Sequence, residues 1–130
     1  MGGIRIRPYR LDDAQAIWEA VRESMRELTP WMPWCHKGYS IDETRSWLAV
    51  QVPAFQQRTI FEFAITSDDG RYLGGCGLNQ IDALNQRANL GYWVRSSAAG
   101  KGVATSAAKL TRDWGFANTD LVRIEVLVAI

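Results

Sequence analysis

The chain has 130 residues, a formal net charge of +1 and 47% apolar residues, with two cysteines and one histidine. This is the length of one domain. Its charge is too balanced for a general affinity for nucleic acid or an anionic membrane, and its apolar runs are too short to span a bilayer or form a secretory leader. Cys35 and Cys76 have no CxxC partner, and two thiols with a single histidine do not make a zinc site. No metal is expected, and the default is a reduced, cytoplasmic protein.

"IRIRPY" (Ile4 to Tyr9) reads as a first strand stopped near Pro8. The next segment, to Leu28, places Ala14, Ile17, Trp18, Val21, Met25 and Leu28 on one helical face, and Asp12 with Gln15 resembles a capping box. Pro30 and Pro33 disfavour helix, so the tryptophan-rich stretch Thr29 to Tyr39 is expected to be a loop. Ser40 with Glu43 is a second capping box, opening a helix over Trp47, Leu48 and Phe55 that Pro53 kinks or ends.

Three strands follow: Thr59 to Thr66, the glycine-loosened "RYLGGCGLNQID", and "ANLGYWVR". Gly74, Gly75 and Gly77 mark a bulge or a close backbone approach. After the loop "SSAAGKG", Val103, Ala107, Leu110, Trp114 and Ala117 form a helical stripe, and "RIEVLVAI" is a last strand. There Ile124, Val126, Val128 and Ile130 are expected on a buried face. The order β-α-α-β-β-β-α-β implies an antiparallel meander beside one parallel pair: an α/β (α+β) domain with a mixed, mostly antiparallel sheet flanked by helices.

Gly100 and Gly102 stand at the mouth of the last helix, where free N–H groups and the helix dipole attract anions. A Walker A loop fails, because Gly100-Lys101 is followed by Gly102 and has Arg95 where the first glycine belongs. A dinucleotide fingerprint fails as well. Thr105 holds its third small position, Glu125 lies near the start of its strand, and the meander does not fit βαβ winding.

"AGKGVAT", preceded by "NLGYWV" and followed by an amphipathic helix, resembles the acyl-CoA pyrophosphate loop of the GNAT N-acetyltransferases. "IRPYRLDDA", "FEFAI" and "LGGCGLNQID" extend the likeness over essentially the whole chain, most closely to the RimJ/RimL-type ribosomal-protein acetyltransferases. Gly102 and Ala104 match the small positions of the family's loop, while Ala99 stands where Gln or Arg is usual. The family domain continues past its fifth strand, so the resemblance implies a single domain over residues 1–130 that is incomplete at its C-terminus.

The resemblance implies the GNAT acyl-CoA fold, with acetyl-CoA as co-substrate beside "GYWV". The pantetheine arm is expected on the backbone of Trp93 and Val94, and the pyrophosphate on Ala99, Gly100, Lys101, Gly102, Val103, Ala104 and Thr105. Lys101 and Arg95 are further candidates for the phosphates. Val94 N–H is the expected oxyanion donor. Glu125 is the candidate base, set against a cross-strand arginine partner, and Glu62 carries the same ambiguity. Cys76 reads as a small core residue. Trp31, Trp34, His36 and Tyr39 are candidates for the acceptor site, set against a role as satellite core.

The implied reaction is acetyl transfer to a primary amine, foremost the α-amine of a protein N-terminus such as that of a ribosomal protein. An α-amine of pKa about 8 is roughly a tenth neutral at pH 7 and so needs little help from a base. The alternatives are a small-amine acceptor (polyamine or aminoglycoside) and an inactive acyl-CoA-binding module. An apolar last strand with an unpaired edge also implies a homodimer through that strand, or else a poorly soluble and weakly active species.

Overall fold

The structure, a computed structural model, describes residues 3–28, 38–100 and 102–128. Its elements are β1 (Ile4–Pro8), α1 (Ala14–Glu23), α2 (Met25–Leu28), α3 (Ile41–Gln56), β2 (Phe61–Ser67), β3 (Tyr72–Asp82), β4 (Arg87–Val94), α4 (Val103–Asn118) and β5 (Arg123–Val128). They form one five-stranded sheet in the order β1-β2-β3-β4-β5. The first three pairings are antiparallel, and β4 with β5 is parallel. The mixed sheet expected from the element order is present.

Strand alternation divides the molecule into two layers. Phe61, Phe63 and Ile65 of β2 join Leu78, Leu90 and, from α4, Val103 and Ala107 in one core. On the opposite face, Ala64 and Tyr72 pack with Ile17, Ala20 and Val21 of α1 and with Leu48 of α3. Burial of each large apolar side chain contributes about 1.5–3 kcal/mol, which holds helices to both sides of the sheet.

Local differences from the expected elements have identifiable causes. Asp13 takes the capping role expected of Asp12: its carboxylate accepts from Arg10 N at 2.7 Å and is held by Arg7 Nη2 at 2.6 Å. A three-residue 3-10 turn therefore precedes α1. Helix α1 stops at Glu23 instead of running to Leu28, because Ser24 leaves helical geometry (φ −107°, ψ 12°) and its hydroxyl accepts from Ser96 N at 2.9 Å. The second capping box forms as expected, with Ser40 N donating to Glu43 Oε2 at 2.8 Å. Helix α3 passes through Pro53 and ends one turn later, since a single proline removes only one helical donor.

The buried stripe of α4 is Val103, Ala107, Thr111 and Gly115, whereas Leu110 and Ala117 are exposed. Thr111 fits the core because its hydroxyl lies 2.8 Å from Ala107 O and 3.0 Å from Cys76 Sγ. Cys76 is a buried core thiol, pushed up to about 12 by burial. Val126 of β5, expected on a buried face, is 57% exposed because β5 lies at the edge of the described sheet.

Candidate active site

The register of β4 determines which of its backbone groups are available. Arg95 N donates to Leu73 O at 2.8 Å, so Arg95 and Leu73 form a hydrogen-bonded pair of the antiparallel ladder. Pairs in such a ladder alternate, which makes Val94–Gly74 and Tyr92–Cys76 non-hydrogen-bonded pairs. The N–H and C=O of Tyr92 and Val94 therefore point away from β3. Pairing of β4 with β5 shifts between Leu90 and Gly91, and among the described residues it ends at Gly91–Val128. Trp93, expected beside Val94 at this edge, is turned the other way. Its carbonyl faces β3, where a Cβ on Gly74 would run into it.

The strand leads directly into the glycine loop. Gly102 is the N-cap of α4 with φ +75°, a left-handed conformation that glycine adopts at little cost. Ser106 N donates to Gly102 O at 3.1 Å, so the N–H groups of Val103, Ala104 and Thr105 have no acceptor inside the helix. No acidic residue occupies this first turn. Ala99 and Gly100 are exposed beside it. Backbone donors and the helix dipole together make this an anion-binding end.

The loop is braced from α1. The Glu23 carboxylate accepts from Arg95 Nε at 3.0 Å and Nη2 at 3.1 Å, and from Ser97 N at 3.0 Å. Arg95 Nη1 also donates to Tyr72 O at 3.0 Å. The Arg95 guanidinium holds Glu23 at a pKa of about 2, with further help from Ser97. Arg95, expected as a candidate for phosphate, is thus committed to the fold, and Glu23 and Ser24 enter the site as its supports.

On the α1/α3 face of the sheet lies a cavity of about 480 Å³. Gly75 and Gly91 line its floor, and Tyr9, Tyr39, Trp47, Tyr72 and Trp93 contribute its aromatic surround. Tyr9 and Tyr72 share a buried hydroxyl–hydroxyl hydrogen bond of 2.7 Å, and burial raises the pKa of both. The polar groups are Glu43, Glu62 and Asn79, and no lysine, arginine or histidine occurs among the described lining residues. Burial raises the Glu62 carboxyl to about 7, against a weak donation from Asn79 Nδ2 at 3.4 Å. A Cβ at Gly77 would collide with this carboxyl, so the missing side chain is what lets Glu62 lie across β3.

Among the expected site residues, Val94, Ala99, Gly100, Gly102, Val103, Ala104 and Thr105 lie along the segment that leads from β4 through a 3-10 turn at Ser96–Ala98 to α4. Tyr39 is buried at the cavity, with its hydroxyl hydrogen-bonded to Thr44 Oγ1. Glu125 is on β5, paired with Arg123 Nε at 2.9 Å, and is not among the residues around the cavity. Lys101, Trp31, Trp34 and His36 lie outside the described residues. Tyr9, Trp47, Gly75 and Gly91 were not singled out for the site from sequence. The parity of "FEF" against "GGCG" is the signal that could have found the cavity, since it puts Glu62, Gly75 and Gly77 on one face.

A mixed sheet whose fourth strand turns the N–H and C=O of Tyr92 and Val94 away from β3, followed by a glycine-capped helix, fits an acyltransferase. The acetyltransferase (GNAT) domain profile matches residues 4–130. The chain belongs to that family and is an acetyltransferase. It is 25% identical over 130 residues to the "Putative ribosomal N-acetyltransferase YdaF" of Bacillus subtilis, an alignment covering 98% of this chain and 69% of the relative. The structure resembles RimL, the ribosomal L7/L12 α-N-protein acetyltransferase in complex with coenzyme A, with a TM-score of 0.83 and 21% identity, covering 95% of this chain and 69% of that one. The ribosomal-protein-S5-alanine acetyltransferase of Vibrio fischeri gives a TM-score of 0.85 at 22% identity, covering 97% of this chain and 70% of that one. No helix among the described residues is long and apolar enough to cross a membrane.

Proposed function

We propose that the protein transfers the acetyl group of acetyl-CoA to the α-amine of a protein N-terminus, with a ribosomal protein as acceptor. The carrying observation is the outward backbone of Tyr92 and Val94, set between the N-terminus of α4 and a cavity with no cationic side chain among its described lining residues. An amide-bearing pantetheine arm fits a strand edge that offers N–H and C=O in alternation. The pyrophosphate fits the donors of Val103 to Thr105. In this reading the thioester carbonyl lies near Val94 N–H, which supports the negative oxygen of the tetrahedral intermediate.

The cavity receives the amine. Its two carboxyls and aromatic walls favour an ammonium-bearing chain end, and no lining cation among the described residues opposes it. The ribosomal acceptor rests on likeness to relatives named for that activity. Release of free thiol from acetyl-CoA, measured with peptides bearing free or blocked N-termini and with polyamines, tests the reading. Turnover that requires a free N-terminus is expected. Turnover with polyamines alone would replace the acceptor class, and CoA binding without turnover on any amine would refute the transferase reading.

A further inference from the structure

Glu62 stands in a defined geometric relation to the edge where acetyl transfer is proposed. Its register partner on β3 is Gly77, and the register partner of Gly77 on β4 is Gly91. The three residues form one row across the sheet, with Glu62 as the only side chain in it. Neighbouring strands lie about 4.8 Å apart, so Gly91 is about 10 Å from the Glu62 backbone. The carboxyl already reaches over Gly77, and Asn79 Nδ2 bridges the remaining step, 3.4 Å from Glu62 Oε1 and 3.9 Å from a Cβ built on Gly91, so the amine approaches from the cavity side of this amide. Gly91 immediately precedes the edge formed by Tyr92 and Val94.

We propose that Glu62 is the catalytic base that takes the proton from the acceptor ammonium, and that Gly77 is its positioning residue. The proposal rests on the acetyltransferase reading above. Glu62 carboxylate removes one proton from the ammonium to give the neutral amine. The nitrogen lone pair forms the C–N bond to the thioester carbonyl, the C–S bond breaks, and the departing thiolate takes the second nitrogen-bound proton. Glu62 then returns its proton to solvent. The balance is ammonium plus acetyl-CoA to acetamide, CoA thiol and one proton.

The surroundings suit this work. The groups facing Glu62 are Asn79 and Tyr72 from β3, Tyr9 just after β1 and Glu43 from α3, while the Cys76 thiol lies on the α4 side of the sheet. The tyrosines and the thiol stay neutral near pH 7, because burial raises all three. A carboxyl raised to about 7 is close in proton affinity to an α-amine, which makes transfer between them nearly isoenergetic. Glu125, tied to Arg123 on β5, has no comparable path to the cavity.

The test compares wild type, Glu62→Gln and Gly77→Ala on two acceptors at pH 7: a peptide α-amine, largely protonated, and a weakly basic amine that is already neutral. Glu62→Gln should lower the peptide rate about 10²-fold or more, with a far smaller effect on the weakly basic amine and unchanged acetyl-CoA affinity. Gly77→Ala should show the same selective loss in the folded fraction, together with a lower Tm, because its Cβ also meets Phe61 O at 2.7 Å. With Glu62→Gln, the peptide rate should climb with pH toward the acceptor's own pKa. Equal rates for wild type and Glu62→Gln, or equal losses on both amines, would overturn the base role while leaving the transferase reading intact. A wild type that binds acetyl-CoA yet acetylates neither amine would overturn both. If Glu62→Gln fails to fold, Glu62→Asp, shorter by one methylene, must lose rate selectively on the peptide amine, and equal rates would overturn the proposal.

Discussion

Glu23 and Arg95, 72 residues apart, meet in a two-pronged pair that ties the C-terminus of α1 to the first residue after β4. The same carboxylate accepts from the backbone and the hydroxyl of Ser97. The pair therefore sets the path by which the chain leaves β4 for the glycine loop. Its chemistry is structural, but its position is at the site.

Glu23→Gln should destabilise the fold by about 1 kcal/mol, a figure reduced for solvent screening of a partly exposed pair. It should also weaken acetyl-CoA binding through the loosened loop. The Glu23 carboxyl titrates near 2 when folded and at the ordinary 4.5 when free. The stabilisation is thus complete above pH 4.5 and lost as pH falls toward 2. Thermal melts at intervals across that window should show wild type and variant converging at the acid end. A constant gap would assign the loss to packing instead.

Gly102→Val should weaken acetyl-CoA binding at least tenfold, measured by calorimetry. Nothing lies within 4 Å of a Cβ built at this position, so the penalty is conformational and not a clash. Left-handed geometry costs a non-glycine residue about 1–2 kcal/mol, and more for a β-branched one. Gly102→Asn, which tolerates that geometry, should recover most of the affinity. Equal affinities for all three would remove α4's N-terminus from the binding site.

The meander, the single parallel pair and the Ser40–Glu43 cap were legible in the chain because each rests on local spacing. The loop was legible for the same reason: glycine at a strand-to-helix junction needs a reason that lies close by. The cavity was not. Tyr9, Trp47, Glu62, Gly75 and Gly91 come from four elements and the loop after β1, and tertiary packing and strand register bring them together. Which of Glu62 and Glu125 lines the cavity depends on that register, and the commitment of Arg95 depends on Glu23, 72 residues away.

The Tyr9–Tyr72 hydroxyl pair allows a test of cavity energetics. Tyr9→Phe or Tyr72→Phe alone should destabilise by about 1–2 kcal/mol, because each leaves a buried hydroxyl without its partner. The double variant should cost less than the sum of the two singles. Additive losses in a double-mutant cycle of denaturation free energies would show that each hydroxyl has another partner of equal worth.

Trp47→Ala should raise the acceptor KM with little change in acetyl-CoA affinity. Its ring meets Tyr9 edge-on at a centroid distance of 5.0 Å, and it is 36% exposed at the cavity. Truncation therefore opens the acceptor side and leaves the β4 edge untouched. Steady-state kinetics on a peptide acceptor, together with calorimetry on CoA, separate the two. A matched loss of CoA affinity would place Trp47 on the cofactor path.

The alternation of Phe61, Glu62 and Phe63 along β2 also bears on how the chain finds its fold. A one-residue slip of β2 would swing the two rings into the cavity and drive the carboxylate into the layer beneath α4, where it has no partner. Both errors would arise together, so a mispaired sheet could not be stable and merely inactive. Selection that keeps Glu62 facing the cavity is at the same time selection against misalignment of this strand.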